Sequence, residues 1–118
     1  MELITRIYAV TEAFPPRELY GLTSQLRRAA TSIALNIAEG SAAGSDQEFR
    51  RFLMMASRSC HELMCGLEIA LRLKYLAAST AGTLLQEADR LAGMLGAVAS
   101  NVVALELALW AEALPAAS

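Results

Sequence analysis

Residues 84–109 read LLQEADRLAGMLGAVASNVVALELAL. Within them Leu84, Ala88, Leu91, Leu95, Val98, Val102, Leu105 and Leu109 recur at alternating spacings of four and three. That is the apolar seam of a long helix crossing its neighbours at a shallow angle, as in a left-handed bundle. A half-buried strand would alternate with period two, and no window of the chain does so. An all-α fold follows.

Glycine and proline divide the rest into three more periodic segments. Helices are predicted at 2–13, 23–40, 46–76 and 80–114, in one domain covering 1–118. The expectation is an antiparallel, up-down four-helix bundle with a short first helix and long third and fourth helices. The first stops before Phe14-Pro15-Pro16, because proline disfavours helix in the residue preceding it. Pro16 to Tyr20 reads as an irregular or single-turn connection. Thr23 or Ser24 is the expected cap of the second helix, whose apolar row is Leu26, Ala30, Ile33 and Ile37. Ser45-Asp46-Gln47-Glu48 matches a capping box, with Ser45 as N-cap and Glu48 reaching back to it. The third helix carries Phe49, Leu53, Ala56, Cys60, Leu63, Leu67 and Ala70 along one seam. Ser79 or Thr80 opens the fourth.

A second row on the fourth helix is made of small residues four apart: Ala88, Ala92, Gly96, Ser100, Ala104 and Ala108. Such a row forms a groove for a neighbouring ridge. Alanine is also the best helix former, which is the plainer explanation. Gly93 and Gly96 favour close packing, since each costs about 1 kcal/mol inside a helix.

The 118 residues are 55% hydrophobic, with a mean hydropathy of +0.38. One small domain has little interior in which to hide that load. Either helices face lipid or copies of the chain cover one another. The longest uncharged run, Leu91–Leu105, falls short of the about 20 apolar residues that cross a bilayer. A homo-oligomer without membrane contact is therefore expected. The net charge of −2 gives no bulk attraction to nucleic acid. The N-terminus lacks the pattern of a signal peptide. Cys60 and Cys65, about 140° apart around one helix, cannot bridge each other. A cytoplasmic protein is expected.

Few residues offer chemistry. His61 and Cys65 stand one helical turn apart, but no second pair completes a metal site. A helical histidine and a buried thiol are the simpler reading. Gly40 to Ser45 lacks the lysine and the preceding strand of a phosphate-binding loop. No catalytic residues, metal or cofactor are assigned. A polar stripe of Gln25, Arg28, Ser32, Asn36 and Glu39 runs along the second helix beside its apolar row. A partly buried Asn36 needs partners, and Arg28, Ser59 and Glu62 are the candidates. Such a network fixes helix register, or marks a ligand site. Arg27, Arg28, Arg50, Arg51 and Arg58 are candidate contacts for nucleic acid or a protein partner. All ten basic residues except Lys74 are arginine, the type suited to bidentate phosphate contact. Aromatic residues are too few to indicate base stacking.

Gly21-Leu22-Thr23-Ser24-Gln25-Leu26-Arg27-Arg28-Ala29, Asn36-Ile37-Ala38-Glu39-Gly40, Glu48-Phe49-Arg50-Arg51-Phe52-Leu53 and Ser59-Cys60-His61-Glu62-Leu63 together resemble one family. It is the small four-helix bundle proteins found in intervening sequences of bacterial 23S rRNA genes, to which accessory proteins of diversity-generating retroelements are related. The resemblance implies a ring, expected to be a homopentamer, without catalytic activity. The chain departs from the family at Ala43, where relatives often carry arginine, and at Arg58, where they commonly carry glycine. The retroelement branch is strongly basic and binds RNA; the acidic balance here implies weak nucleic-acid binding at best. Three functions stay open: a scaffold binding a macromolecular partner, a nucleic-acid-binding ring, and a ligand carrier or enzyme at the Asn36/Glu39 stripe. In the family the first helix normally starts further upstream, so part of the bundle would lack a fourth wall unless another subunit supplies it.

Overall fold

The computed structural model describes residues 2–113, with their side chains except at 103, 105–107, 109, 110, 112 and 113. The described residues form four α-helices: α1 (Glu2–Thr11), α2 (Leu22–Ser41), α3 (Asp46–Arg72) and α4 (Ala78–Ala113). A 3₁₀ turn, Pro16–Glu18, stands between α1 and α2. They form an antiparallel up-down bundle in which α3 packs along both α2 and α4. Gly40, near the end of α2, faces Phe49 and Phe52 near the start of α3, while Gly66, near the end of α3, faces Leu26. Among the described residues α1 and α3, and likewise α2 and α4, stand diagonally, with no Cα pair within 8 Å.

The predicted seam of α3 is the core of the molecule. Leu53, Ala56, Cys60, Leu63, Leu67 and Ala70 are all buried, with Phe49 half-buried at its beginning. They meet Leu26, Ala30 and Ile33 from α2 and Ala81, Leu84 and Ala88 from α4 in one cluster. The small side chains of Ala56, Cys60 and Ala70 are interspersed among the leucines of α3, so both neighbours come close. Gly66 marks the tightest point: an added Cβ would lie 2.5 Å from Leu26 Cδ2, and Leu26 is itself buried.

The seam of α4 differs from its sequence pattern. Leu84, Ala88 and Leu95 are buried, but Val98 is 43% exposed and Leu91 and Val102 are half-buried. The buried row runs instead through Ala81, Leu84, Ala88, Ala92, Leu95 and Ala99. A strict seven-residue repeat drifts by about 20° per heptad around a straight helix, which turns Val98 and Val102 away from α3. The side chains of Leu105 and Leu109, and the expected helix end at Leu114, lie outside the described residues. The small-residue row also splits. Ala88 and Ala92 are core, Gly96 is half-buried, and Ser100, Ala104 and Ala108 are exposed. A spacing of four winds by about 40° per step, so the row cannot follow α3 for long. A Cβ added at Gly93 or Gly96 would meet nothing within 4 Å, so neither glycine serves a close approach within the chain.

Helix ends correct several local expectations. At α3 the Ser45 hydroxyl accepts from the Glu48 N–H at 3.2 Å, as the capping box requires. The Glu48 carboxylate, however, lies 3.9 Å from Arg51 rather than returning to Ser45. Neither Thr23 nor Ser24 caps α2, which begins one residue earlier with Gly21 at the cap position. The Glu18 carboxylate takes that role, accepting from the Leu22 N–H at 3.3 Å. Its other oxygen accepts from the Tyr75 hydroxyl at 2.9 Å. α3 stops at Arg72, short of residue 76, because Lys74 adopts φ 64°. The Lys74 N–H then bonds the Leu71 carbonyl, and the Tyr75 N–H bonds the Ala70 carbonyl. This is a Schellman closure with lysine where glycine is usual. Tyr75 packs on Phe14, with ring centroids 5.3 Å apart. α4 starts at Ala78 instead of 80, its Ala81 N–H bonding the Ala77 carbonyl at 2.9 Å. α1 ends at Thr11, two residues before the expected boundary.

α1 is the short wall. Its 10 residues make about 15 Å of helix, against about 54 Å for the 36 residues of α4. Arg6 pairs with Glu87, which sets α1 beside the first half of α4. Met94 and Val98, about two to three turns further along, are 59% and 43% exposed.

Two substitutions test this packing by urea denaturation. Gly66→Ala gains about 1 kcal/mol of helix propensity yet is expected to lose about 1–3 kcal/mol net by overpacking against Leu26. Lys74→Gly relieves a left-handed residue worth about 1–2 kcal/mol and is expected to raise stability by about 0.5–1 kcal/mol after the added unfolded-state entropy. Gly66→Ala stabilising, or Lys74→Gly destabilising, would contradict the geometry.

Candidate functional site between the second and third helices

The stripe of α2 meets α3 at two serines. Ser32 Oγ lies 2.9 Å from Ser59 Oγ, and Ser59 is only 6% exposed. Asn36 Nδ2 donates to the Ser32 carbonyl at 2.9 Å and approaches Ser32 Oγ at 3.1 Å. Ser59 Oγ also reaches the Met55 carbonyl at 3.2 Å. Three polar side chains thus form one network inside an otherwise apolar contact. No buried side-chain nitrogen or oxygen among the described residues lacks a partner. The network is closed and sets the register of α2 on α3.

The other stripe residues stand around it rather than in it. Gln25, Arg28, Ala29, Ser32 and Glu62 line a shallow recess of about 150 Å³. Arg28 bonds weakly to Ser24 at 3.4 Å and does not reach Asn36. Glu39 and Glu62 are exposed, and Glu39 is outside the network. The expected partners of Asn36 are therefore corrected to Ser32, with Ser59 one bond further on. Asn36 and Ser32 share one helix face a turn apart, which brings the amide first to the nearer hydroxyl.

The two thiols are opposites. Cys60 is fully buried in the seam, and that burial pushes its thiol up to about 11. Cys65 is exposed, against the expectation of a buried thiol, because it falls on the outer face of α3. His61 is exposed beside it, with Nδ1 2.9 Å from the Ser57 carbonyl. Among the described residues no three metal-ligating side chains cluster. Nothing beside Cys60 favours a thiolate nucleophile.

The five candidate arginines have separate fates. Arg27 is committed to the fold. Its Nε donates to Thr11 Oγ1 at 2.9 Å, its Nη2 lies 3.5 Å from Glu12, and its guanidinium stacks 4.8 Å from the Tyr8 ring centroid. It ties α1 to α2, a role that sequence reading missed because the partners are brought together only by folding. Arg51 lies beside Glu48 and over Phe52, 5.4 Å from its ring centroid. Arg28, Arg50 and Arg58 are exposed. Arg50 borders a groove of about 250 Å³ between α3 and α4, with Met54, Ala99 and Ser100.

Among the described residues no helix is long and apolar enough to cross a membrane. A family model described as 23S rRNA-intervening sequence protein matches residues 1–97. No curated protein matches the chain. The matched region contains α1, α2, α3 and the first part of α4, with the whole polar network.

Two measurements follow. Asn36→Ala and Ser59→Ala are each expected to cost about 1–2 kcal/mol in urea denaturation, with a double-mutant loss that is not the sum. Glu39→Ala should stay within about 0.5 kcal/mol. Strict additivity of the first pair would show that no shared network exists. Thiol titration should find Cys65 reactive in the native protein, with Cys60 reacting only after unfolding. Above the thiol's ordinary 9.0, the unfolded chain loses a proton that the folded chain keeps. Stability should therefore fall as pH rises from 9.0 towards about 11, and the Cys60→Ala variant should lose that part of the slope.

Proposed function

The chain belongs to the 23S rRNA-intervening sequence protein family, and from that premise we propose a non-catalytic, cytoplasmic scaffold that assembles as a homo-oligomer and binds a macromolecular partner. A homopentamer is the assembly that family resemblance implies. The observation that carries the reading is the row on α4 beyond the reach of α1. Met94 is 59% and Val98 43% exposed, and Leu35 on α2 is 64% exposed. Apolar side chains left uncovered on a long helix favour association, because their burial contributes about 25 cal/mol per Å². Open space around Gly93 and Gly96 leaves room for a neighbouring helix on the same element.

The scaffold reading stands ahead of a nucleic-acid-binding ring. Arg27 and Arg51 already face Glu12 and Glu48, which leaves Arg28, Arg50 and Arg58 as the candidate phosphate contacts. An enzyme or ligand carrier at the Asn36/Glu39 stripe has less support still, since the Asn36 network is satisfied internally and Glu39 stands apart from it.

Light scattering at micromolar concentration tests the assembly. The expected mass is a multiple of 12.6 kDa, a pentamer being the assembly that the family resemblance implies. Val98→Glu should shift the species to lower mass by placing a charge in the contact. Gly96→Leu should leave the isolated chain's stability intact, because the site is open within it, but should weaken the oligomer. A wild-type monomer would contradict the reading.

A further inference from the structure

Where α1 and the connection after it meet the start of α2, an open groove of about 410 Å³ includes Tyr8, Leu19, Tyr20, Ser24, Arg27 and Arg28 in its lining. Tyr20 is 93% exposed, with Leu19 at 49% and Tyr8 at 40%. Tyrosine and arginine are the side chains that most often dominate binding energy at protein interfaces. Here folding gathers them from α1, the connection before α2, and α2 itself.

One wall is already ordered. Thr11 Oγ1 donates to the Ile7 carbonyl at 2.7 Å and accepts from Arg27 Nε at 2.9 Å. The guanidinium lies over Tyr8 and beside Glu12. A side chain held this way loses little further freedom on binding. Arg28, the next residue, is exposed and bonded to Ser24 at 3.4 Å, so its guanidinium can take an acidic group from outside.

We propose that this groove docks an acidic peptide segment of a partner protein. A carboxylate would engage Arg28, and an apolar or aromatic side chain would cover Tyr20, Leu19 and Tyr8. Charge complementarity chooses this occupant over a single-stranded nucleic acid. A nucleotide chain needs a cationic track along its phosphates, and here Glu12, 78% exposed, stands 3.5 Å from Arg27. One carboxylate with one apolar neighbour needs only the single guanidinium of Arg28 and the tyrosine faces. This inference rests on the scaffold reading, which requires a partner, and specifies that partner's chemistry.

The test is fluorescence anisotropy on the full chain with a fluorescein-labelled peptide of Glu, Leu and Phe. The same peptide with Lys for Glu and a labelled oligo(dT) serve as comparisons. The acidic peptide should bind, the Lys peptide should not, and Arg28→Glu and Tyr20→Ala should each weaken binding by about ten-fold or more. Arg72→Ala should leave it unchanged. Tyr20 and Arg28 are exposed, so unchanged thermal melting of both variants is expected. No acidic-peptide binding, equal binding of the Lys peptide, or indifference to both substitutions would overturn the proposal. So would oligo(dT) binding that these substitutions abolish in place of peptide binding. Light scattering on the same samples separates the two readings. An oligomer that ignores the peptide overturns the groove alone, and a monomer that binds it overturns the assembly alone.

Discussion

Every other feature of the bundle depends on the row that α3 buries on both sides. Leu53, Ala56, Cys60, Leu63, Leu67 and Ala70 face α2 and α4 together, while among the described residues the α2 and α4 backbones have no Cα pair within 8 Å. Truncating a buried leucine in such a row costs about 2–5 kcal/mol, and here one loss would loosen two helix contacts. The small side chains of Ala56, Cys60 and Ala70 among the leucines let the neighbours approach. Gly66 beneath Leu26 is where that approach leaves no room for a methyl group.

From that double-sided row follows the asymmetry of the molecule. A bundle has four walls, but α1 runs beside only part of α4, fixed there by Arg6 with Glu87 and by Arg27 with Thr11 and Glu12. Further along, Met94 and Val98 have no covering helix and remain exposed. The polar network of Ser32, Ser59 and Asn36 has a different part: it adds little apolar burial but penalises any slip of α2 against α3, since a slip would strand buried hydroxyls. Register is thus fixed within the chain, while the α4 face at Met94 and Val98 stays uncovered by it.

The sequence made the helices and the α3 seam legible because both depend on local periodicity. The cap at Ser45 was legible for the same reason, since its donor lies three residues away. What depended on distant partners was not. Gly66 carries no mark in its own helix, and only Leu26 across the interface explains it. Gly93 and Gly96 drew attention as helix-interior glycines, yet they face open space. Lys74 gave no sign of a left-handed turn, because the usual signal there is glycine. Arg27 read as a candidate contact for nucleic acid or a partner, whereas folding brings Tyr8, Thr11 and Glu12 to it. The heptad seam of α4 was real as a pattern but drifts around the helix, so Val98 and Val102 leave the chain's own core.

If the uncovered row on α4 is an interface between copies, its backbone must be better protected in the assembly than in the single chain. Hydrogen exchange of residues 94–102, followed across a dilution series, measures this most directly. Slow exchange at high concentration that quickens on dilution, while residues 53–70 of α3 stay protected throughout, is the predicted result. Exchange in 94–102 that is independent of concentration over a range where the chain remains monomeric would contradict the account.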